Sequence, residues 1–124
     1  MAKRIALVAH DARKEIIVEW ARENATQLAG FSICATGTTG GRLQAEAGLE
    51  VERLLSGPLG GDAQLGAMIA EGRLDALFFF IDPLSALPHD VDVKSLLRLA
   101  ILYDTPLAIN KATADAVLSH LAQA

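Results

Sequence analysis

Short apolar runs alternate with stretches of helical periodicity from one end of the chain to the other. Five runs, Ile5 to Ala9, Phe31 to Ala35, Val51 to Leu55, Ala76 to Ile81 and Leu107 to Ile109, read as strands. Between them Ile16, Ile17, Trp20, Ala21 and Leu28 fall on one helical face, as do Leu65, Met68 and Ile69, and later Leu96, Leu97, Ala100 and Ile101; a shorter helix is expected over Arg42 to Ala47. Strand runs without in/out alternation imply a sheet covered on both faces. The pattern therefore predicts an α/β fold: one domain over residues 1–124, three layers (α/β/α), and a mainly parallel five-stranded sheet of Rossmann-like type. No linker, repeat or low-complexity tract interrupts it.

In an open parallel sheet, ligands bind beyond the carboxyl ends of the strands. The residues that follow each run are polar or flexible. His10 and Asp11 follow the first, Thr36-Gly37-Thr38-Thr39-Gly40-Gly41 the second and Ser56-Gly57 the third. Asp82-Pro83 ends the fourth, with Pro88-His89-Asp90-Val91-Asp92 soon after, and Asn110 ends the fifth. Polar groups from all the strand ends are expected along one edge, although surface loops are often polar for no such reason.

Composition narrows the chemistry. A chain of 124 residues, 52% of them apolar, is long enough to bury a continuous core without disulfides or a structural metal. Cys34 is the only cysteine, so no internal disulfide forms, and its apolar neighbours Ile33 and Ala35 suggest a buried, inert thiol. No apolar run approaches the roughly 20 residues of a membrane-spanning helix, and Met-Ala-Lys-Arg leads straight into a strand, so a soluble, cytoplasmic protein is expected. A net charge of −4 with scattered Lys and Arg argues against nucleic-acid binding. Any anionic ligand must be caught locally.

Two segments stand out. Thr36 to Gly41 sets hydroxyls and unhindered amides before a helix, whose amino end favours an anion. It lacks the Gly-Lys-Ser/Thr ending of a P-loop and does not fit the Gly-x-Gly-x-x-Gly fingerprint, and an ordinary capped turn would look similar. Lys14, in the first helix, is placed to add positive charge. The second segment, Ser56-Gly57-Pro58-Leu59-Gly60-Gly61-Asp62, aims one carboxylate from a glycine-rich bend. Asp62 is where the chemistry is expected, with an ordinary helix N-cap as the competing role; capping would also lower its basicity unless a water-poor pocket or the nearby Asp90 and Asp92 opposed that. His89, between Pro88 and two acids, suggests a held ring. Asp90 suits a helix cap, which leaves Asp92 freer for a site. No His-x-x-x-His or Glu-x-x-His pairing suggests a metal.

Taken together, His10-Asp11, Ala35 to Gly40, Ser56 to Asp62, Phe79 to Pro83, and Pro88-His89-Asp90 with Asp92 and Leu96-Leu97-Arg98 resemble the methylglyoxal synthase family in order and spacing, over roughly residues 4 to 115. The resemblance implies a lyase that converts dihydroxyacetone phosphate to methylglyoxal and inorganic phosphate without a metal or organic cofactor. It makes Asp62 the base and acid, with His89 and Asp92 beside it. It gives Thr36, Gly37, Thr38, Thr39, Lys14, Ser56 and Gly57 to the substrate phosphate, and makes His10 and His89 substrate contacts. It further implies a homo-oligomer, a hexamer, with phosphate as an inhibitor. The same fold resembles the regulatory domain of carbamoyl phosphate synthetase, which binds a ligand without chemistry. Asp62, His89 and Asp92 favour the lyase. A response-regulator-like reading centred on Asp82 lacks the acidic pair it needs after the first strand.

Overall fold

The structure, a computed structural model, describes residues 2–84 and 90–123, with the backbone alone for residues 90–92. Five strands, β1 (Arg4–Ala9), β2 (Ser32–Thr36), β3 (Glu52–Leu54), β4 (Ala76–Phe80) and β5 (Leu107–Ala108), form one sheet in the order β3-β2-β1-β4-β5. Every pairing is parallel. Helices α1 (Lys14–Glu23) and α2 (Ala25–Leu28) connect β1 to β2, and α3 (Gly37–Ala47) connects β2 to β3. Helices α4 (Gly61–Ala70) and α5 (Asp90–Leu102) make the next two crossings, and α6 (Lys111–Ala122) follows β5.

Alternate residues of the central strands bury against opposite helical layers, as a pleated strand requires. Ile5, Leu7 and Ala9 pack with Ile17, Leu43, Leu118 and Leu121 of α1, α3 and α6. Ala6 and Val8 pack with Leu65, Ile69 and Leu96 of α4 and α5. Residues 5–9 and 76–80 are all buried, which explains why these runs show no polar alternation. Trp20 anchors the first layer: it is fully buried against Phe78 and Phe80, at ring-centroid separations of 5.3 and 5.9 Å, and its Nε1–H donates to Asp115 at 2.8 Å.

Three sequence expectations change. The third strand is not apolar throughout: it is an edge, with Glu52 and Arg53 exposed and Glu52 paired to Arg4. The second crossover helix starts at Gly37, not Arg42, so the threonine-glycine segment is its first turn rather than a loop before it. Asn110 is a cap: its side chain accepts from Thr113 N–H at 3.0 Å while Thr113 Oγ1 accepts from Asn110 N–H at 3.1 Å, which starts α6. That helix had no counterpart in the periodicity reading. No helix among the described residues is long and apolar enough to cross a membrane.

The strand order places the site. From β1 the chain moves outward to β2 and β3, then returns to the other side of β1 to build β4 and β5. A crevice opens where the two directions part, beyond the carboxyl ends of β1 and β4.

Candidate active site

Helix α3 begins directly at the end of β2. Thr36 occupies its cap position in extended conformation (φ −70°, ψ 145°) and makes no capping bond through its side chain. The amides without intrahelical acceptors therefore belong to Gly37, Thr38 and Thr39, and the partial positive charge of an 11-residue helix gathers there. Gly37 N–H donates to Leu55 O at 3.4 Å. Thr36, Thr38 and Thr39 line a cavity of about 150 Å³, with Thr36 and Thr39 buried and Thr38 exposed.

Glycine sets the spacing between this helix end and the β3–α4 connection. A Cβ at Gly37 would lie 2.9 Å from Ser56 Cβ and 3.0 Å from Ser56 Cα, closer than side chains come. Arg53, from the edge strand, closes the same contact from outside: its Nε–H donates to Gly37 O at 3.2 Å. A Cβ at Gly40 would lie 2.9 Å from Arg53 Cγ. Arg53 was not a sequence candidate, and its only signal was an arginine one strand away from a Gly-Gly pair.

Asp62 projects from the other wall. After β3 the chain makes a 3₁₀ turn over Gly57–Leu59, reverses at Gly60 (φ 118°) and enters α4. The positive φ at Gly60 is one that glycine adopts without steric cost. Gly60 takes the cap position, so Asp62 lies inside the first turn and is not the N-cap. Its carboxylate lies over Gly57: a Cβ there would sit 3.4 Å from Oδ1 and 3.5 Å from Oδ2. Gly57 and Asp62 both line the cavity with Ser56 and Pro58.

The floor is the end of β1. His10, 8% exposed, accepts the Asp82 N–H on Nδ1 at 2.8 Å and meets Phe79 edge-on at 5.2 Å. An acceptor Nδ1 assigns the neutral tautomer, with the ring proton on Nε2, so the other ring edge is a donor. Lys14 Nζ contacts the Asp11 carboxylate and reaches Ala9 O at 3.5 Å; Lys14 is largely buried and Asp11 almost fully exposed. Both line the cavity, so a cation sits beside the α3 amino end.

His10, Lys14, Thr36, Thr38, Thr39, Ser56, Gly57 and Asp62 thus surround one cavity. Gly37 stands behind the lining as a spacer. His89 lies outside the described residues. Asp92 is in the first turn of α5, with its side chain not described, and its neighbour Val93 lines the cavity. Among the described residues no three His, Cys, Asp or Glu side chains gather as metal ligands would.

Such a site offers anion recognition at a helix end, a carboxylate held over a glycine and a neutral imidazole. Residues 16–109 match the family model described as an MGS-like domain. The chain belongs to the methylglyoxal synthase family. It is 60% identical over 120 residues to a methylglyoxal synthase of Rhizobium rhizogenes, covering 96% of this chain and 95% of that one. It is 62% identical over 112 residues to the methylglyoxal synthase of Agrobacterium fabrum, covering 90% and 88%. The crystal structure of methylglyoxal synthase from Elizabethkingia anophelis superposes with a TM-score of 0.90 at 50% identity, over 95% of this chain and 78% of that one.

Proposed function

We propose that the protein is a methylglyoxal synthase, a lyase that converts dihydroxyacetone phosphate to methylglyoxal and inorganic phosphate. The observation that carries this is the placement of the Asp62 carboxylate over Gly57, in the same small cavity as the α3 amino end. A ligand-binding domain without chemistry needs the helix end and has no use for an aimed base. Likeness at 60% identity over nearly the whole of a stand-alone synthase supports the lyase over that alternative.

The roles follow from what the reaction must overcome. The substrate phosphate sits on the first turn of α3, held by Thr36, Gly37, Thr38 and Thr39 with Lys14, Ser56 and Gly57. Asp62 removes a proton from the hydroxymethyl carbon. A hydrogen on carbon beside a ketone is too weakly acidic for an unaided carboxylate, so the developing enediolate oxygen needs a donor fixed in advance. His89 supplies it, with Asp92 beside it, and His10 offers its Nε2–H as a further substrate contact. The hydroxyl on the former hydroxymethyl carbon gives up its proton to the departing phosphate as its electron pair becomes the aldehyde carbonyl, the double bond shifts and the distal carbon–oxygen bond breaks; the resulting enol takes a proton on its methylene carbon and releases its hydroxyl proton to become methylglyoxal. Elimination requires the distal carbon–oxygen bond to stand perpendicular to the enediolate plane. The threonine-glycine turn orients the phosphate as well as binding it.

We further assign residues 1–124 to one domain working as a cytoplasmic homo-oligomer, a hexamer by family resemblance. Exposed Leu59, Leu84, Ile101, Leu102 and Tyr103 support association; a monomeric mass in sedimentation equilibrium would overturn it. For the reaction, purified protein is incubated with dihydroxyacetone phosphate and a chelator while methylglyoxal and phosphate are followed together. Equal release of both is expected. Phosphate without methylglyoxal, or neither, refutes the assignment.

A further inference from the structure

A second cavity, about 460 Å³ against about 150 Å³ for the first, opens at the same strand ends toward the α1 and α6 side of the sheet. Adjacent residues of β4 divide between the two: Phe79 lines the first and Phe80 the second. Adjacent residues after β1 divide likewise, Lys14 to the first and Arg13 to the second. Ile16, Phe80, Ile81 and Ile109 give it an apolar lining, and Arg13 and Lys111 add two cations. The size and the mixture of apolar walls with a few polar groups are those of small-molecule sites.

The charges limit the ligand. Lys111 already faces Glu23 at 3.4 Å, whereas no ion pair among the described residues engages Arg13. Among the lining side chains, two cations less the Glu23 carboxylate paired with one of them leave a single positive charge, on a planar guanidinium whose fork fits a carboxylate. The walls are also tied to His10. Its N–H donates to Phe80 O at 3.1 Å, its carbonyl accepts from Arg13 N–H at 2.8 Å, and its Nδ1 accepts from Asp82, which lies between the lining residues Ile81 and Pro83. Ile81 N–H in turn donates to Ile109 O at 3.3 Å. We propose that this cavity is a second ligand site, taking a small organic acid with one carboxylate on a compact apolar body, and that its occupancy is sensed at His10 through these bonds. A ligand that shifts the Ile81–Pro83 segment changes the bond that orients the imidazole, so the two sites are coupled.

The test uses 3-phenylpropionate on the intact protein in excess inorganic phosphate, which fills the α3 cradle, with binding read by titration calorimetry. One site per chain is expected, with at least tenfold weaker binding for 3-phenylpropionamide and for Arg13→Gln, and weaker binding for Ile109→Trp, which adds bulk to the apolar lining. The comparison of acid and amide needs no variant. Absence of saturable binding, equal binding of the amide, or displacement by phosphate overturns the site. The His10 Cε1–H proton resonance, assigned with His10→Asn, is expected to move as the acid binds, and a fixed resonance at saturation overturns the coupling. Neither readout depends on turnover, so failure here is separate from failure of the lyase assignment.

Discussion

Gly37→Ala tests whether the distance between the α3 amino end and the Asp62 loop is set by contact. A methyl group there would lie 2.9 Å from Ser56 Cβ, 3.0 Å from its Cα and 3.1 Å from its N. Two of those atoms are backbone, so no rotamer change relieves the overlap. Restoring ordinary separation moves the helix end and the 3₁₀ turn apart by about 0.5–1 Å, given carbon contacts near 3.5–4.0 Å. Overpacking of this kind costs about 1–3 kcal/mol, and replacing glycine at a helical position returns about 0.4–1 kcal/mol. The net is a loss of up to about 2.6 kcal/mol, centred near about 1.3 kcal/mol, which is read as a fall in Tm of about 4–6 °C for a chain of this size. The catalytic effect is larger in proportion, because the phosphate rides on one side of the displaced contact and the base on the other. Misplacement of about 1 Å costs up to about 10²-fold, so kcat/KM is expected to fall by about 10- to 100-fold. The assay pairs initial rates on dihydroxyacetone phosphate with thermal unfolding. Gly30→Ala is the control, since its Cβ would meet nothing nearer than Gln27 O at 3.6 Å. If Gly37→Ala keeps wild-type rates and Tm while Gly30→Ala does the same, the spacing is not set as described.

Asp62→Asn removes the proton acceptor and keeps the shape, so turnover is expected to fall by about 10²- to 10⁴-fold while a phosphate-bearing enediolate mimic still binds; near-wild-type turnover would refute the role. Thr38→Ala, at the exposed lip of the cradle, is expected to raise KM and the inhibition constant of inorganic phosphate together. A rise in KM with phosphate inhibition unchanged would put the cradle elsewhere. Burial pushes the Cys34 thiol above its ordinary value. Labelling by a thiol reagent at pH 8 is therefore expected to be slow in the native protein and immediate in denaturant, and rapid native labelling would contradict the burial. Because the folded form holds that proton more tightly, its stabilising contribution is complete below the unfolded thiol value of 9.0 and declines as pH rises through the higher folded one.

Sequence pattern alone determined the architecture. Runs such as Ala76 to Phe80 are apolar at every position because a parallel strand buries both faces, and that demand is local enough to read without coordinates. The glycine-rich segments and Asp62 were legible for a similar reason: small residues with an acid at a strand end restrict what the backbone can do. Pairings between residues distant in sequence were not legible. The Asp82 N–H that fixes the His10 tautomer is 72 residues away, and the Arg53 contact with Gly37 depends on β3 lying beside β2. Only the structure showed Thr38 and Thr39 as helix rather than loop. Local sequence dictates which backbone states a segment can adopt. Which of them meet at one cavity follows from strand order and from the bulk of side chains contributed by other elements.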